Sequence, residues 1–264
     1  MTRVTDLKGK LALVTGATAG IGLAGTIQIA ELGATVIVAG RSQKSVDEAV
    51  ADIRNEVPGA DVKTLVADLG TRDGCDAIIG KFPAVDILVN NLGIYEAVGF
   101  FDETDEAWYH LFEVNVMSGV RLSRHYLRGM LEKKWGRLIF ISSESGITPA
   151  PEVAHYSATK AMQISLGRSL SELTKGTAVT VNTILPGPTR TPGVEKFIGD
   201  IFPGVPSAEA ERKFIEANRP TSLIQRLIDP VEVGAMIAYI ASPKSSATNG
   251  AALRVEGGLV RTMI

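Results

Sequence analysis

The chain has 264 residues, a formal net charge of −2, and hydrophobic residues at 45% of its positions. This composition excludes a disordered, collagenous or coiled-coil protein, and the charge argues against a protein that binds nucleic acid through a basic surface. The single cysteine excludes a disulfide framework, and the three histidines lack metal-ligand spacing, so we expect no metal site.

The sequence also argues against a membrane protein. The first ten residues lack the apolar core of a signal peptide, and the longest apolar stretch, residues 233–241, is too short to span a bilayer. We therefore expect a cytoplasmic protein that makes no membrane contact.

Short apolar runs alternate with segments of helical spacing along the chain. Several runs are apolar throughout, which is typical of strands buried on both faces of a parallel sheet. The alternation predicts an α/β protein: a single doubly wound (Rossmann) domain, with a seven-stranded parallel sheet and helices on both faces. The predicted strands are residues 10–15, 35–39, 62–67, 86–90, 137–142, 178–185 and 252–255, and the predicted helices are residues 20–32, 43–56, 72–81, 105–133, 155–174 and 231–241.

One segment, residues 186–220, departs from this alternation. It is rich in proline and glycine, with apolar side chains such as Phe197, Ile198 and Phe202 between them. Long irregular insertions in a compact domain are usually functional or disordered, so we predict a substrate lid here. The alternative is a surface loop packed on its own apolar side chains. Because no repeat or linker divides the chain, residues 1–264 are predicted to form one domain.

The first predicted strand ends in a glycine-rich turn, Thr15-Gly16-Ala17-Thr18-Ala19-Gly20-Ile21-Gly22, and a helix follows. In doubly wound folds a dinucleotide pyrophosphate binds at this turn, against the free N–H groups and the positive end of the helix dipole. An overlapping G-x-G-x-x-G match begins only at Gly20, so we interpret it as fortuitous and Gly25 as a packing residue inside the helix. The turn therefore predicts a nucleotide cofactor.

Tyr156 and Lys160 open a predicted helix with i, i+4 spacing, which places both side chains on one face. A nearby ammonium stabilises a phenolate, and the pair can then exchange a proton with an alcohol or ketone oxygen. Ser143 closes a predicted strand 13 residues earlier, at the end that faces the ligand crevice, and could donate to the same oxygen. The alternatives are a surface tyrosine with a solvated lysine, and a serine that only caps a turn.

The T-G-x-x-x-G-I-G turn, together with this serine, tyrosine and lysine, resembles the short-chain dehydrogenase/reductase family. The likeness is to its short, single-domain branch, which includes 3-oxoacyl reductases. The extended branch has T-G-x-x-G-x-x-G at this turn. It fits less well, because Ala19 stands where that branch has its middle glycine.

The resemblance implies reversible hydride transfer between a nicotinamide cofactor and a carbonyl or secondary alcohol. It implies that Tyr156 donates the proton, that Lys160 lowers the tyrosine pKa and binds the nicotinamide ribose, and that Ser143 orients the carbonyl. Asn115, in the motif Glu113-Val114-Asn115-Val116, would hold a water that links the lysine to bulk solvent. These four residues are the predicted catalytic set.

The end of the second predicted strand bears on the choice between NADP(H) and NAD(H). NAD-selective sites place an acid there, whereas this chain has Gly40 followed by Arg41. The Arg41 guanidinium could hold a 2′-phosphate, so we favour NADP(H), with NAD(H) as the alternative. Arg41 could instead stack on adenine or remain solvated. Ala19 is a further caution, because NADP-selective relatives often carry a basic residue at that position.

The resemblance extends to further residues that would contact the cofactor. Asn90-Asn91-Leu92-Gly93 matches the family's N-N-A-G after the fourth strand, Asp68 matches the residue at the adenine edge, and the turn that begins with Pro186-Gly187 matches the nicotinamide contact. The predicted cofactor-binding residues are Thr15, Gly16, Thr18, Gly20, Ile21, Gly22, Arg41, Asp68, Leu69, Asn91, Gly93, Tyr156, Lys160, Pro186, Gly187, Thr189 and Thr191.

The substrate is predicted only as a small-molecule carbonyl compound or alcohol. The two candidates are a ketone and a 3-oxoacyl thioester. A carrier-protein substrate would need a basic patch at the mouth of the site. Two other functions stay open: a non-catalytic dinucleotide-binding sensor, and an epimerase or dehydratase of a related branch. The candidate pocket residues are Ile94, Tyr95, Ser143, Glu144, His155, Leu185, Phe197 and Phe202. The candidate basic residues are Arg190, Lys196, Arg212, Lys213 and Arg219.

The resemblance also bears on assembly, because family members of this length are mostly homotetramers built through two long helices and the last strand. The C-terminal segment, residues 252–264, carries apolar residues up to its last position, whereas free termini are normally polar. We therefore expect a homotetramer in which this segment is buried between subunits.

Overall fold

A computed structural model of the chain describes residues 6–96 and 98–263. Its seven strands are all parallel and lie in the order β3-β2-β1-β4-β5-β6-β7. Each predicted strand overlaps an observed one, so the predicted α/β doubly wound fold is confirmed. The strands are β1 Leu11–Val14, β2 Thr35–Gly40, β3 Val62–Val66, β4 Ile87–Asn90, β5 Trp135–Ile141, β6 Ala178–Pro186 and β7 Ala252–Val255.

The described residues form nine α-helices. Helices α1, α2 and α9 pack on one face of the sheet, and α3, α5 and α6 pack on the other. Successive strand residues alternate between the two faces, so Val14 joins one core and its neighbour Leu13 joins the other. The helices are α1 Gly20–Glu31, α2 Gln43–Glu56, α3 Arg72–Lys81, α4 Asp105–Phe112, α5 Ser118–Glu132, α6 Ala154–Ser171, α7 Pro192–Ile201, α8 Ser207–Asn218 and α9 Pro230–Ala241.

Strand β1 lies between β2 and β4, so the strand order reverses beside it. A crevice forms at such a reversal, outside the carboxyl ends of the strands. Thr15 accepts backbone hydrogen bonds on Oγ1 from Asn91, at 2.9 Å, and from Leu92, at 2.8 Å. Asn91 Nδ2 donates in return to the Thr15 carbonyl oxygen at 2.9 Å. These contacts join the ends of β1 and β4 and set the shape of the crevice.

The predicted helix over residues 105–133 is interrupted. Helix α4 ends at Phe112, a π turn spans Glu113–Met117, and α5 begins at Ser118. A π turn contains one extra residue per turn, and such turns are frequent at functional sites. Asn115 lies at the middle of this one.

The predicted irregular insertion is mostly helical, which corrects that expectation. Pro192 is the first residue of α7, Pro206 precedes α8, and Gly204 lies between the two helices with φ +76°. The prolines and the glycine therefore delimit helices, because proline suits a first helical position and glycine suits a positive φ. The two helices share a small core of their own, formed by Ile198, Ala210, Phe214, Ile215 and Leu227.

The described residues contain no candidate membrane helix and no candidate group of metal ligands. Within residues 6–96 and 98–263, no helix has the length and apolar character needed to cross a bilayer. In the same part of the chain, no three histidine, cysteine, aspartate or glutamate side chains are grouped so that they could hold a metal ion.

Candidate functional site

A cleft of about 360 Å³ opens at the carboxyl ends of β1, β4, β5 and β6. It brings together most of the predicted site residues, from segments that are far apart in the sequence. The predicted residues that line it are Gly16, Gly20, Ile21, Asn91, Gly93, Ser143, Tyr156, Lys160, Pro186, Gly187, Thr189 and Thr191. The predicted residues that do not line it are Thr15, Thr18, Gly22, Arg41, Asp68, Leu69 and Asn115.

The glycine-rich turn fits an anionic group at the start of α1. Gly16 and Gly20 have φ of +67° and +53°, which glycine adopts without strain. A Cβ at Gly22 would collide with the Gly16 carbonyl oxygen, so the turn can close on the helix only with glycine there. No side chain caps the helix, which leaves its first N–H groups available to a phosphate. A Cβ at Gly25 would lie 2.9 Å from Ile237 Cδ1 of α9, which confirms its packing role.

The far end of the crevice carries the residues expected at the adenosine. Arg41 is exposed after β2 and makes no hydrogen bond or ion pair with the described residues. A Cβ at Gly40 would lie 2.8 Å from Thr18 Cγ2 and 3.1 Å from Ser45 Oγ. A side chain at position 40 would therefore require these neighbouring side chains to shift. Asp68 accepts a hydrogen bond from the Gly70 N–H at 2.9 Å, which fixes the turn after β3.

Tyr156, Lys160 and Ser143 meet at one end of the cleft. Helix α6 begins at Ala154, so Tyr156 lies in its first turn and Lys160 one turn later. The Lys160 Nζ lies 5.4 Å from the centroid of the Tyr156 ring and donates to the Ile141 carbonyl oxygen at 2.9 Å. Ser143 follows β5 and is buried. The i, i+4 spacing and the strand end thus bring the three predicted groups onto one wall of the cleft.

Burial determines the protonation of this cluster more than its charges do. Desolvation raises the pKa of the Tyr156 phenol, and the negative charge of Glu144 raises it further, while a hydrogen bond with Ser143 opposes the rise. Desolvation also lowers the pKa of Lys160 to about 7, against the opposing effect of Glu144. Burial and Glu144 hold the phenol protonated, which suits it to donate a proton. The expectation that Lys160 lowers the pKa of Tyr156 stays a prediction.

Glu144 and Arg219 form a buried charged pair beside this cluster. Arg219 Nε donates to Glu144 Oε1 at 3.2 Å, and Arg219 Nη1 donates to Glu152 Oε1 at 2.9 Å. The Ser143 hydroxyl donates to Glu144 Oε2. Glu144 was a predicted pocket residue, but nothing in the sequence pairs it with Arg219, which follows α8.

An aromatic wall connects the cluster to the two inserted helices. The Tyr95 ring lies 5.9 Å from the Tyr156 ring and 5.8 Å from the ring of Phe197 in α7. Phe197 in turn packs 5.9 Å from Phe214 of α8. The Tyr95 hydroxyl is buried and makes no hydrogen bond within the described part of the chain, and burial raises its pKa to about 12.

Four of the predicted pocket residues lie elsewhere, which corrects those expectations. His155 is fully buried with Nδ1 2.7 Å from Glu103 Oε1, and it does not line the cleft. Leu185 is fully buried near the end of β6, and Phe202 packs against the core shared by α7 and α8. Ile94 does not line the cleft, because its backbone bonds to Asn115.

Asn115 is buried behind the cleft and orders the segment after β4. Its Oδ1 accepts from the Ile94 N–H at 2.8 Å, and its Nδ2 donates to the Ile94 carbonyl oxygen at 2.9 Å and to Thr159 Oγ1 at 3.1 Å. Its own carbonyl oxygen accepts from Gln163 Nε2 at 2.6 Å. Sequence reasoning missed Gln163, although a glutamine one turn after Lys160 on α6 was a signal that could have found it.

Comparison with known proteins supports a family assignment. The family model described as short chain dehydrogenase matches residues 10–200. The chain is 52% identical to an uncharacterized oxidoreductase, YvaG, of Bacillus subtilis, over 98% of both chains. It is 34% identical to a 3-oxoacyl-[acyl-carrier-protein] reductase of Vibrio cholerae, over 96% of this chain and 98% of that protein.

The fold has a close counterpart among solved structures. The L-sorbose reductase of Gluconobacter frateurii, solved in complex with NADPH and L-sorbose, superposes with a TM-score of 0.91 at 26% identity, over 99% of this chain and 100% of that one. The matched family, the full-length relatives and this shared fold lead to one conclusion. The chain belongs to the short-chain dehydrogenase/reductase family of oxidoreductases.

Proposed function

We propose that the protein is an NADP(H)-preferring reductase of small free ketones, which also oxidises the corresponding secondary alcohols. The observation that carries this proposal is the convergence of Tyr156, Lys160 and Ser143 on one cleft that continues into the glycine-rich turn. A proton donor, a cation and a second hydroxyl beside a phosphate-binding turn are what carbonyl reduction with a dinucleotide requires.

Each of the three groups has a separate part in the proposed reaction. Tyr156, kept protonated by burial and by Glu144, donates its proton to the carbonyl oxygen. Ser143 turns its hydroxyl from Glu144 to that oxygen and stabilises the developing charge. The Lys160 ammonium donates to the Ile141 carbonyl oxygen and to Gln163 Oε1, and its third N–H is available to ribose hydroxyls. The nicotinamide, when bound, supplies the hydride.

The preference for NADP(H) rests on the end of β2. Arg41 is exposed with its guanidinium unengaged by the described residues, and Gly40 stands where an NAD site has its acid. The L-sorbose reductase that shares the fold was solved with NADPH, which supports the same choice. NAD(H) remains the alternative, because Ala19 adds no positive charge at the turn.

The charges around the inserted helices favour a free substrate over one carried by an acidic protein. All five of the candidate basic residues form ion pairs with carboxylates of this chain, so the predicted basic patch is neutralised. The pairs are Arg190–Glu211, Lys196–Asp200, Arg212–Glu216, Lys213–Glu209 and Arg219–Glu144. A 3-oxoacyl thioester remains the second candidate, because the Vibrio cholerae relative is named for that substrate.

We retain the proposal of one domain whose inserted helices act as a substrate lid. Phe197 of α7 lines the cleft and contacts Tyr95, so these helices cover the reacting end. The proposed homotetramer is supported by an apolar groove of about 440 Å³ between α5 and α6, which includes Leu127, Leu166 and Leu170. An apolar groove of this size on a helix pair is typical of a subunit interface.

A substrate panel tests the proposed function. The purified protein is mixed with NADPH and, separately, with aliphatic ketones, aryl ketones, hydroxyketones and a 3-oxoacyl thioester, and the absorbance of reduced nicotinamide is followed. We expect the free ketones to oxidise NADPH faster than the thioester does. Turnover of the thioester alone would favour the second candidate. NADPH binding without turnover of any carbonyl compound would indicate a sensor, and conversion of a sugar nucleotide without net oxidation would indicate an epimerase.

A further inference from the structure

Gln163 lies behind the catalytic end of the cleft, on α6, one turn after Lys160. Its side chain is 2% exposed, so it is enclosed by protein on all sides. Its Oε1 accepts from Lys160 Nζ at 3.2 Å, and its Nε2 donates to the Asn115 carbonyl oxygen at 2.6 Å. One amide group therefore connects the lysine to the π turn.

The chemistry of the two neighbours fixes the orientation of this amide. An ammonium group can only donate hydrogen bonds, so the atom that faces Lys160 must be the oxygen. A backbone carbonyl can only accept, so the atom that faces Asn115 must be the nitrogen. If the amide were flipped, its NH₂ group would face the Lys160 ammonium and its oxygen would face the Asn115 carbonyl oxygen. The observed orientation is therefore the only one in which both hydrogen bonds form.

The amide of Gln163 can act on Lys160 in two ways. It connects Lys160 to the Asn115 carbonyl oxygen and so holds the ammonium in place. Its carbonyl dipole also stabilises the positive charge of that ammonium.

We propose that Gln163 is a positioning residue, whose side-chain amide ties the Lys160 ammonium to the Asn115 carbonyl oxygen. The proposal deepens the proposed function and rests on it, since Lys160 binds the cofactor ribose there. It predicts that Gln163 sets the charge and the position of Lys160 at the wall of the cleft that Lys160 lines.

The groups around Lys160 determine how a change at Gln163 would alter the pKa of Lys160. The charged or titratable groups facing it are Glu144, whose negative charge favours the ammonium, and the Tyr156 ring. The groups from β5 and from the π turn, Ile141 and Asn115, are uncharged. Since desolvation already lowers the pKa of Lys160 to about 7, loss of a single acceptor changes its charge at neutral pH.

The test measures the titration of Lys160 in Gln163→Leu and Gln163→Ala. Competitive labelling with an amine reagent, read by peptide mass spectrometry, reports the pKa of this one amine without cofactor or turnover. In Gln163→Leu we expect the pKa of Lys160 to fall by about one unit, because an acceptor to a charged group is lost. In Gln163→Ala we expect a smaller fall, because the vacated space can admit a water with two polar partners.

The activity of the same variants gives a second readout. We expect the pH at which ketone reduction is half lost on the alkaline side to fall in parallel with the labelled pKa, and the KM for the cofactor to rise more than kcat falls. Gln28→Leu and Gln28→Ala serve as matched controls, because Gln28 is also a helical glutamine whose Nε2 donates to a backbone carbonyl oxygen, that of Val231 at 2.9 Å. These controls should leave Lys160 unchanged.

The outcomes separate the two proposals. A Lys160 titration that is unchanged in both Gln163 variants would overturn the positioning role, whatever their activity. A lowered pKa in a protein that reduces no carbonyl compound would uphold the contact with Lys160 and reject the proposed function. If Gln163→Leu does not fold, Gln163→Ala and Gln163→Met carry the same comparison.

Discussion

Arg219 Nε donates to Glu144 Oε1 at 3.2 Å, although the two residues are 75 positions apart in the chain. The contact joins the end of α8 to the residue that follows Ser143. Both side chains are nearly enclosed, with exposed fractions of 12% for Arg219 and 5% for Glu144. Arg219, at the end of the inserted helical segment, therefore balances the negative charge of Glu144 beside Tyr156.

This pair predicts opposite shifts in the pH dependence of alcohol oxidation, which needs Tyr156 as the phenolate. Glu144 raises the pKa of Tyr156 and Arg219 lowers it. Glu144→Gln should therefore move the rising limb of the oxidation profile to lower pH, and Arg219→Gln should move it to higher pH. The profiles of kcat against pH check this. Shifts in the same direction, or none, would contradict it.

A matched control for this pair comes from the same helix. Arg212 forms an exposed i, i+4 pair with Glu216 on α8, away from Tyr156. Arg212→Gln removes the same charge from the same element, and exposed pairs contribute little to stability. Its pH profile should match that of the unmodified protein, so any shift seen with Arg219→Gln can be attributed to the buried position.

Tyr156→Phe should reduce turnover by about 10²–10⁴-fold, because only the proton donor is lost. The affinity for NADPH, measured by fluorescence, should stay within a few-fold of the original, because the phenyl ring remains. Tyr109→Phe is the control, since Tyr109 is exposed on α4. Retention of more than about a tenth of the original rate would show that another group supplies the proton.

The sheet could be predicted from the sequence because its signal is local. Residues 36–39 of the second predicted strand, for example, are apolar throughout, which is typical of a strand buried on both faces. The glycine-rich turn and the Tyr156–Lys160 spacing are equally local, since one turn of helix relates the two side chains. These features led directly to the cleft.

The features that could not be predicted from the sequence depend on packing between segments that are distant along the chain. The π turn that carries Asn115 leaves the helical periodicity of residues 105–133 nearly intact, so the pattern shows one helix where there are two. The prolines near α7 and α8 predict an irregular segment, whereas Pro192 and Pro206 stand at the starts of these two helices. Arg219 and Gln163 gain their importance from partners that are distant in sequence, Glu144 and Asn115.

The groove between α5 and α6 predicts how the protein assembles. Leu173 lies at this groove with 59% of its side chain exposed, so Leu173→Glu should weaken an interface without disturbing a protomer core. Light scattering should give about four times 28.0 kDa for the original protein and a smaller species for the variant. Val231→Glu, at an exposed apolar position on α9, is the control. A monomer before mutation would reject the homotetramer.

The C-terminal segment is part of the same assembly prediction. Leu259 and Val260 are already buried within the protomer, whereas Met263 is almost fully exposed. This corrects the expectation for the first two residues, because their burial needs no partner subunit. Ile264 lies outside the described residues. Burial between subunits therefore remains a prediction for the region of Met263, and protection of its thioether from oxidation in the assembled protein would check it.

Arg41 should decide the preference between the two nicotinamide cofactors. If its exposed guanidinium holds the 2′-phosphate, Arg41→Ala should cost about 1.5–3 kcal/mol in kcat/KM for NADPH, as expected for a lost charge-assisted contact, and should leave kcat/KM for NADH nearly unchanged. Lys44→Ala removes a positive charge from the first turn of α2, where Lys44 is paired with Glu48, and should alter neither value. Steady-state kinetics with both cofactors and a fixed ketone measure the ratio. The prediction is wrong if the unmodified protein prefers NADH, or if Arg41→Ala leaves the ratio of kcat/KM for NADPH to kcat/KM for NADH unchanged. Arg41 would then stack on the adenine or remain in solvent.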